Sequence, residues 1–231
     1  FLSIIISMLV CALLGVTIER IAYKPLRQAS PLAVLITAIG VSYFLQSSAL
    51  LIFGSTQRSV ESAVKVPNVA VGDFTISGNA IFTLAITIVL MICLTWFINK
   101  TMTGKAMLAV SEDKGAAQLM GVNVNKTIAV TFLIGSALAA VAGVLYIASY
   151  GFVGPYTGSL PGIKAFVAAV LGGIGSVPGA MLGGILLGII ESLSKAYIST
   201  QLADAIVFGV LIVVLLVKPT GLLGKKVIEK V

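Results

Sequence analysis

Five long apolar runs constrain this chain more than any other feature: Phe1–Ile18, Leu32–Phe53, Ala80–Ile98, Ile128–Ala148 and Ala205–Val217. Most approach the roughly 20 residues that a helix needs to cross the hydrocarbon of a bilayer. None shows the polar–apolar alternation of a barrel strand. A backbone inside lipid must then satisfy its own hydrogen bonds as helix. Only 10% of the residues are charged, against about a quarter in a soluble domain. The expected fold is all-α. It is a polytopic transmembrane helical bundle with about five full spans plus a re-entrant or broken helix pair, forming one domain over residues 1–231. The chain opens at Phe1 within an apolar run, without the basic stretch or small-residue cleavage site of a signal peptide. It reads as a fragment whose native N-terminus is missing.

Charge placement orients the spans. Arg20, Lys24 and Arg27 follow the first run, Lys100, Lys105, Lys114 and Lys126 the third, and Lys218, Lys225, Lys226 and Lys230 form the tail. These are 11 of the 15 basic residues, opposed only by Glu19, Glu112, Asp113 and Glu229. The remaining segments carry Arg58, Lys65, Lys164 and Lys195 against Glu61, Asp73, Glu191 and Asp204, and are neutral. The whole formal charge of +7 thus falls on one side of the membrane. The positive-inside rule makes that side, and the C-terminus, cytoplasmic. Basic residues scattered over short loops argue against nucleic-acid binding, which gathers them on one face.

The loops follow from this orientation. Glu19–Pro31 is a cytoplasmic turn, and Gly54–Asn79 is an external loop expected to hold short strands or an interfacial segment. Asn99–Lys126 is cytoplasmic, and a Gly/Pro/Tyr-rich external loop lies near Tyr150–Pro161. Ala165–Ile190 is about 26 residues long and is interrupted by Leu-Gly-Gly-Ile-Gly-Ser-Val-Pro-Gly-Ala. One reading is a half-helix Lys164–Leu171, a glycine-rich break and a helix from about Pro178 to Ser194, entering and leaving on the same side. Such breaks are tolerated where protein or a water-filled cavity satisfies the backbone, and in transporters they often lie near the substrate path. The other reading is a single long, tilted, kinked helix. Gly179/Gly183, Gly184/Gly188 and the stripe Gly135, Ala139, Gly143 are small-residue spacings that let helices approach closely.

Catalytic equipment is missing from the sequence. There is no His, and Gly104-Lys105 and Gly224-Lys225 lack the upstream glycine of a phosphate-binding loop. Cys11 and Cys93 lie within apolar runs and read as buried packing residues. Asn125-Lys126-Thr127 matches a glycosylation sequon, but on the cytoplasmic side. Ser42 and Gln46, with Thr37 and Tyr43 nearby, and the pair Thr83 and Thr87 are mild polar groups within spans. They fit either the lining of a translocation path or hydrogen bonds between helices. Glu191 and Asp204 fall near helix ends, where solvation is easy, so a coupling-ion site is not expected there.

Against this background Lys105–Gly121 stands out as a polar island. Ala106, Ala109, Ala116, Ala117, Leu119 and Met120 suit a short helix or helix pair, with Ser111-Glu112-Asp113 as a capping start before Lys114. Such a segment fits a groove on a soluble partner by apolar anchors. It fits equally a solvated loop on the headgroups.

Several stretches resemble the permeases of bacterial branched-chain amino acid (LIV-type) ABC importers, in particular their H-type subunit. They are Glu19-Arg-Ile-Ala-Tyr-Lys-Pro-Leu-Arg27, Leu35-Ile-Thr-Ala-Ile-Gly-Val-Ser-Tyr-Phe-Leu-Gln46 and Glu112-Asp-Lys-Gly-Ala-Ala-Gln-Leu-Met-Gly-Val122. Lys164-Ala-Phe-Val-Ala-Ala-Val-Leu-Gly-Gly-Ile-Gly-Ser176, Pro178-Gly-Ala-Met-Leu-Gly-Gly184 and Lys218-Pro-Thr-Gly-Leu-Leu-Gly224 are similar too. The resemblance implies a non-enzymatic multi-pass subunit of the bacterial inner (plasma) membrane that imports hydrophobic amino acids. It implies a second homologous permease subunit, two cytoplasmic ATP-binding subunits, an external substrate-binding protein and lipid as partners. ATP would be bound by the partner subunits, leaving this chain without a cofactor. Within the loop 99–126, Ser111, Glu112, Asp113, Gly115, Ala116, Ala117, Leu119, Met120 and Gly121 would form the ATPase-coupling region. Ser42, Gln46, Gly172, Gly173 and Gly175 are candidates for the translocation path. Related permeases serve urea, amides and other amino acids, so those substrates are the alternative. A stand-alone channel or secondary carrier is a further one.

Overall fold

The structure, a computed structural model, describes residues 2–27, 29–60, 67, 69–71, 74–218 and 220–224. The charges at Glu61, Lys65, Asp73, Lys225, Lys226, Glu229 and Lys230, used above for orientation, lie outside the described residues. The chain forms two compact units: Phe1–Ile88 with Trp96–Thr157, and Val89–Thr95 with Gly158–Val231.

In the first unit α1 (Leu2–Ile18) runs on into a π-helical turn, Glu19–Tyr23, closed by the Lys24 N–H donating to the Glu19 carbonyl at 2.8 Å. Helix α2 (Pro31–Phe53) starts at Ser30, whose hydroxyl accepts from the Ala33 N–H, and stops at Gly54, where φ is +81°. Three short strands follow, as expected for the external loop: β1 (Arg58–Ser59), β2 (Val69–Val71) and β3 (Phe74–Ile76), with β2 and β3 antiparallel. Helix α3 is Gly78–Lys100, α4 is Met102–Glu112, α5 is Lys114–Leu119 and α6 is Val124–Tyr150. At 27 residues α6 is about 40 Å long, enough to pass beyond the hydrocarbon. Strand β4 (Phe152–Val153) pairs antiparallel with β1, joining the loop after α2 to the loop after α6.

The close helix contact of this unit is α1 on α6. A Cβ at Gly15 would overlap Ser136, so glycine is what permits the approach. The expected Gly135, Ala139, Gly143 stripe does not make it: added Cβ atoms at Gly135 and Gly143 would meet open space. Tyr23 and Phe132 pack with ring centroids 5.1 Å apart where the π-helical turn meets α6. Cys11 is half-buried, whereas Cys93 is exposed on the chain's own surface and is not the buried packing residue expected. Lipid or another subunit can cover an exposed position on a spanning helix, so its apolar surroundings in sequence did not require burial within this chain.

In the second unit α7 (Ser159–Gly172), α8 (Val177–Tyr197) and α9 (Ala203–Val217) pack on one another around Val167, Ala168, Leu171, Leu187 and Val207. Gly172 lies against Gly179 and Ala168 against Gly183, so contact partners run in opposite directions along the chain. Helices α7 and α8 are therefore an antiparallel hairpin, and the reading as one kinked helix is wrong. The break is Gly173–Ser176, with Gly173 and Gly175 at φ +108° and +91°, conformations that a side chain strains. Ser176 caps α8 by accepting from the Gly179 N–H at 3.1 Å. Helix α7 begins at Ser159 rather than Lys164, because Pro161 sits in the first turn, where its missing N–H has no partner to lose.

The C-terminal segment returns to this break. The Leu222 and Leu223 N–H groups donate to the Leu171 and Gly172 carbonyls, both at 2.9 Å, so the end of α7 is capped by backbone. At the opposite end Lys164 Nζ reaches Glu191 at 2.9 Å and Asp204 at 2.7 Å, tying α7, α8 and α9 together. Five helices among the described residues have spanning length and composition, as expected, but the fifth is α8. The Ala205–Val217 run forms α9, whose 15 residues extend only about 22 Å.

The hairpin makes a sharp prediction. Gly183→Ala drives a methyl into the Ala168 carbonyl and should cost about 1–3 kcal/mol, as overpacking does. Gly143→Ala meets open space and should be neutral, or stabilising by up to about 1 kcal/mol through helix propensity. Thermal unfolding of both variants in the same detergent tests the contrast.

Candidate functional site

The polar island folds into two short helices, α4 and α5, between the spanning helices α3 and α6. Thr101 starts α4 by accepting from the Gly104 N–H at 3.0 Å, and Gly104 is itself buried against the Phe97 and Ile98 backbone. Val110 anchors α4 at 7% exposure. Asp113 then leaves helical geometry, at φ −155°, and its Oδ1 accepts from the Gly115 and Ala116 N–H groups at 2.8 and 3.0 Å. It alone caps α5: Ser111 and Glu112 close α4, and the Ser111 hydroxyl donates to the Leu108 carbonyl at 2.7 Å. The six-residue α5 ends in a Schellman turn. Gly121 sits at φ +83° and the Val122 N–H donates to the Ala117 carbonyl at 3.0 Å.

Capping and burial together fix which residues face outward. Ala117, 4% exposed, holds α5 in place, while Leu119 and Met120 stand 90% and 84% exposed. Gly115 and Ala116 are exposed beside them. Covering a large apolar side chain is worth about 1.5–3 kcal/mol, so two neighbouring bare ones on a polar loop make a natural contact point. A cleft of about 600 Å³ opens next to it, lined by Arg27, Lys114, Gly115, Gln118, Asn123 and Asn125 among others.

That cleft adjoins an arrangement the sequence reading missed. Glu19 in the π-helical turn is 1% exposed, with its carboxylate hydrogen-bonded and ion-paired to Arg27. The other guanidinium nitrogen of Arg27 donates to the Asn125 side-chain oxygen in the first turn of α6. Asn123 caps the same turn by accepting from the Lys126 N–H at 3.0 Å. The turn between α1 and α2 is thus latched to the first turn of α6, where the chain leaves the loop that holds α4 and α5. An acid placed where an apolar run ends is the available signal in the sequence.

The other candidates divide between the two units. Ser42 and Gln46 lie on α2, where Gln46 Nε2 donates to Ser42 Oγ at 3.2 Å, and Thr87 donates to the Thr83 carbonyl at 2.8 Å on α3. In the second unit Gly172 and Gly173 are packed against the backbone of Gly179 and Gly224, while Gly175 faces open space.

A multi-pass helical protein with a capped, polar pair of short helices between its spans, and a helical hairpin turned at glycines, has the build of a membrane transport component. The chain matches the family described as branched-chain amino acid transport system, permease component, over residues 1–216, and it belongs to that family. It is 45% identical to the high-affinity branched-chain amino acid transport system permease protein LivH of Escherichia coli (strain K12), over 97% of this chain and 74% of the relative. It is also 45% identical to the corresponding protein BraD of Pseudomonas aeruginosa, over 97% of this chain and 75% of the relative. The probable permease protein LivH of Methanocaldococcus jannaschii is 32% identical over 97% of this chain and 74% of its own length. No solved structure matches significantly. The chain is accordingly a membrane-embedded permease component of a transport system, not an enzyme.

Proposed function

We propose that this chain supplies half of an alternating-access path that carries branched-chain amino acids into the cytoplasm. A second homologous permease subunit completes the path, an external binding protein delivers substrate, and two ATP-binding subunits drive it. The observation that carries this reading is the capped α5 tip, with Leu119 and Met120 bare beside Gly115 and Ala116. An ATP-binding subunit whose groove fits this tip differently in its nucleotide states biases the permease between inward- and outward-facing forms, since only differential contact shifts an equilibrium. The Glu19–Arg27–Asn125 latch passes displacement of the loop to α1 and α2. Ser42 and Gln46 supply polar lining, and Gly175 is the open position of the glycine break.

Reconstitution with all four partner subunits in proteoliposomes tests this reading. Labelled leucine should enter only with ATP and the binding protein, and isoleucine and valine, but not urea, should compete. Uptake without the ATP-binding subunits would instead make the chain a channel or secondary carrier. ATP-dependent entry of labelled urea, with no entry of leucine, would move the substrate to the amides.

A further inference from the structure

A second cleft, of about 560 Å³, lies between the π-helical turn and the start of α6. Its polar rim carries Arg20, Lys24, Arg27 and Lys126, with Glu19 as the one acid. That carboxylate is buried and already held by Arg27. Arg20, Lys24 and Lys126 are exposed and have no ion-pair partner among the described residues. The membrane-side wall is Val16, Ala129, Val130 and Leu133, all apolar residues of spanning helices. The capped N-terminus of α6 adds its partial positive charge to the same place.

We infer that this cleft binds the phosphodiester headgroup of an anionic phospholipid from the cytoplasmic leaflet. The positive-inside rule explains basic residues near the membrane, but it does not require them to converge on one cavity. Three uncompensated cations over an apolar wall match a ligand with a negative head and a hydrocarbon tail, the chemistry of basic pockets between spanning helices. An acidic segment of a soluble protein would use the rim but have no use for the wall. Inorganic phosphate would likewise reach only the rim.

Binding of dioctanoyl phosphatidylglycerol to the full chain in detergent, followed by native mass spectrometry, tests the assignment without any transport partner. Saturable binding is expected, with dioctanoyl phosphatidylcholine much weaker and excess inorganic phosphate unable to displace the lipid. Lys24→Gln combined with Lys126→Gln should weaken binding about thirtyfold, at about 1 kcal/mol per basic residue near the surface. Lys100→Gln combined with Lys105→Gln, cytoplasmic charges outside the cleft, should leave binding unchanged. The two pairs losing affinity alike would mean a general surface-charge effect and overturn the site. Equal binding of phosphatidylcholine, or full displacement by phosphate, would overturn the anionic-lipid assignment. Retained affinity in the Lys24/Lys126 variant despite normal elution on size exclusion would do the same.

Discussion

Replacing Leu119 and Met120 together by serine is expected to abolish ATP-driven uptake while leaving the permease inserted and folded. Both side chains are almost fully solvent-exposed, so the chain's own packing loses nothing when they shrink. If both are covered by an ATP-binding subunit, their removal forfeits about 3–6 kcal/mol of apolar burial. That corresponds to an affinity loss of roughly a hundredfold or more. Pull-down of the ATP-binding subunits and uptake should fall together, with unchanged thermal unfolding of the isolated permease. Gly115→Arg is a less clean probe, because a Cβ there would already lie 3.3 Å from the Asp113 carboxylate that caps α5.

Arg27→Ala should be among the most destabilising single changes in the first unit. It leaves the Glu19 carboxylate buried at 1% exposure without its cation, a situation that costs about 3–5 kcal/mol. For a chain of this size that is a fall in melting temperature of about 10 °C, measurable by thermal unfolding in detergent. Adding Glu19→Gln removes the stranded charge and should restore most of the loss. The double variant then separates stability from coupling. It is expected to bind the ATP-binding subunits normally yet transport fewer substrate molecules per ATP hydrolysed, because the loop has lost its link to α1 and α2. A normal ratio would confine the latch to a stabilising role.

The fold was legible wherever one physical rule dominates. Apolar length named four of the five spanning-length helices, and Ser176, Asp113 and Gly121 are cap residues whose chemistry sets the ends of α5 and α8. The glycine break was also readable, since Gly172, Gly179 and Gly183 serve direct backbone approach. What escaped was pairing between distant positions. Whether a glycine stripe meets a neighbour depends on which helix lies opposite, so Gly15 was missed and Gly135 and Gly143 were overvalued. Arg27 and Asn125 are 98 residues apart in sequence, and nothing local links them. The return of Leu222 and Leu223 to cap α7 was invisible for the same reason. In the Lys105–Gly121 segment the residue types suggested a short helix pair, but only burial distinguishes Ala117, which faces inward, from Leu119 and Met120, which do not.

The central claim is that the α5 tip is where ATP-binding subunits grip this permease. A thiol-directed benzophenone placed on Leu119→Cys, in a Cys11→Ser/Cys93→Ser background, tests it most directly in the assembled transporter. Illumination should link the permease to an ATP-binding subunit, with a yield that changes when ATP is added. A transporter that takes up substrate normally while the probe labels only lipid or solvent would contradict the account.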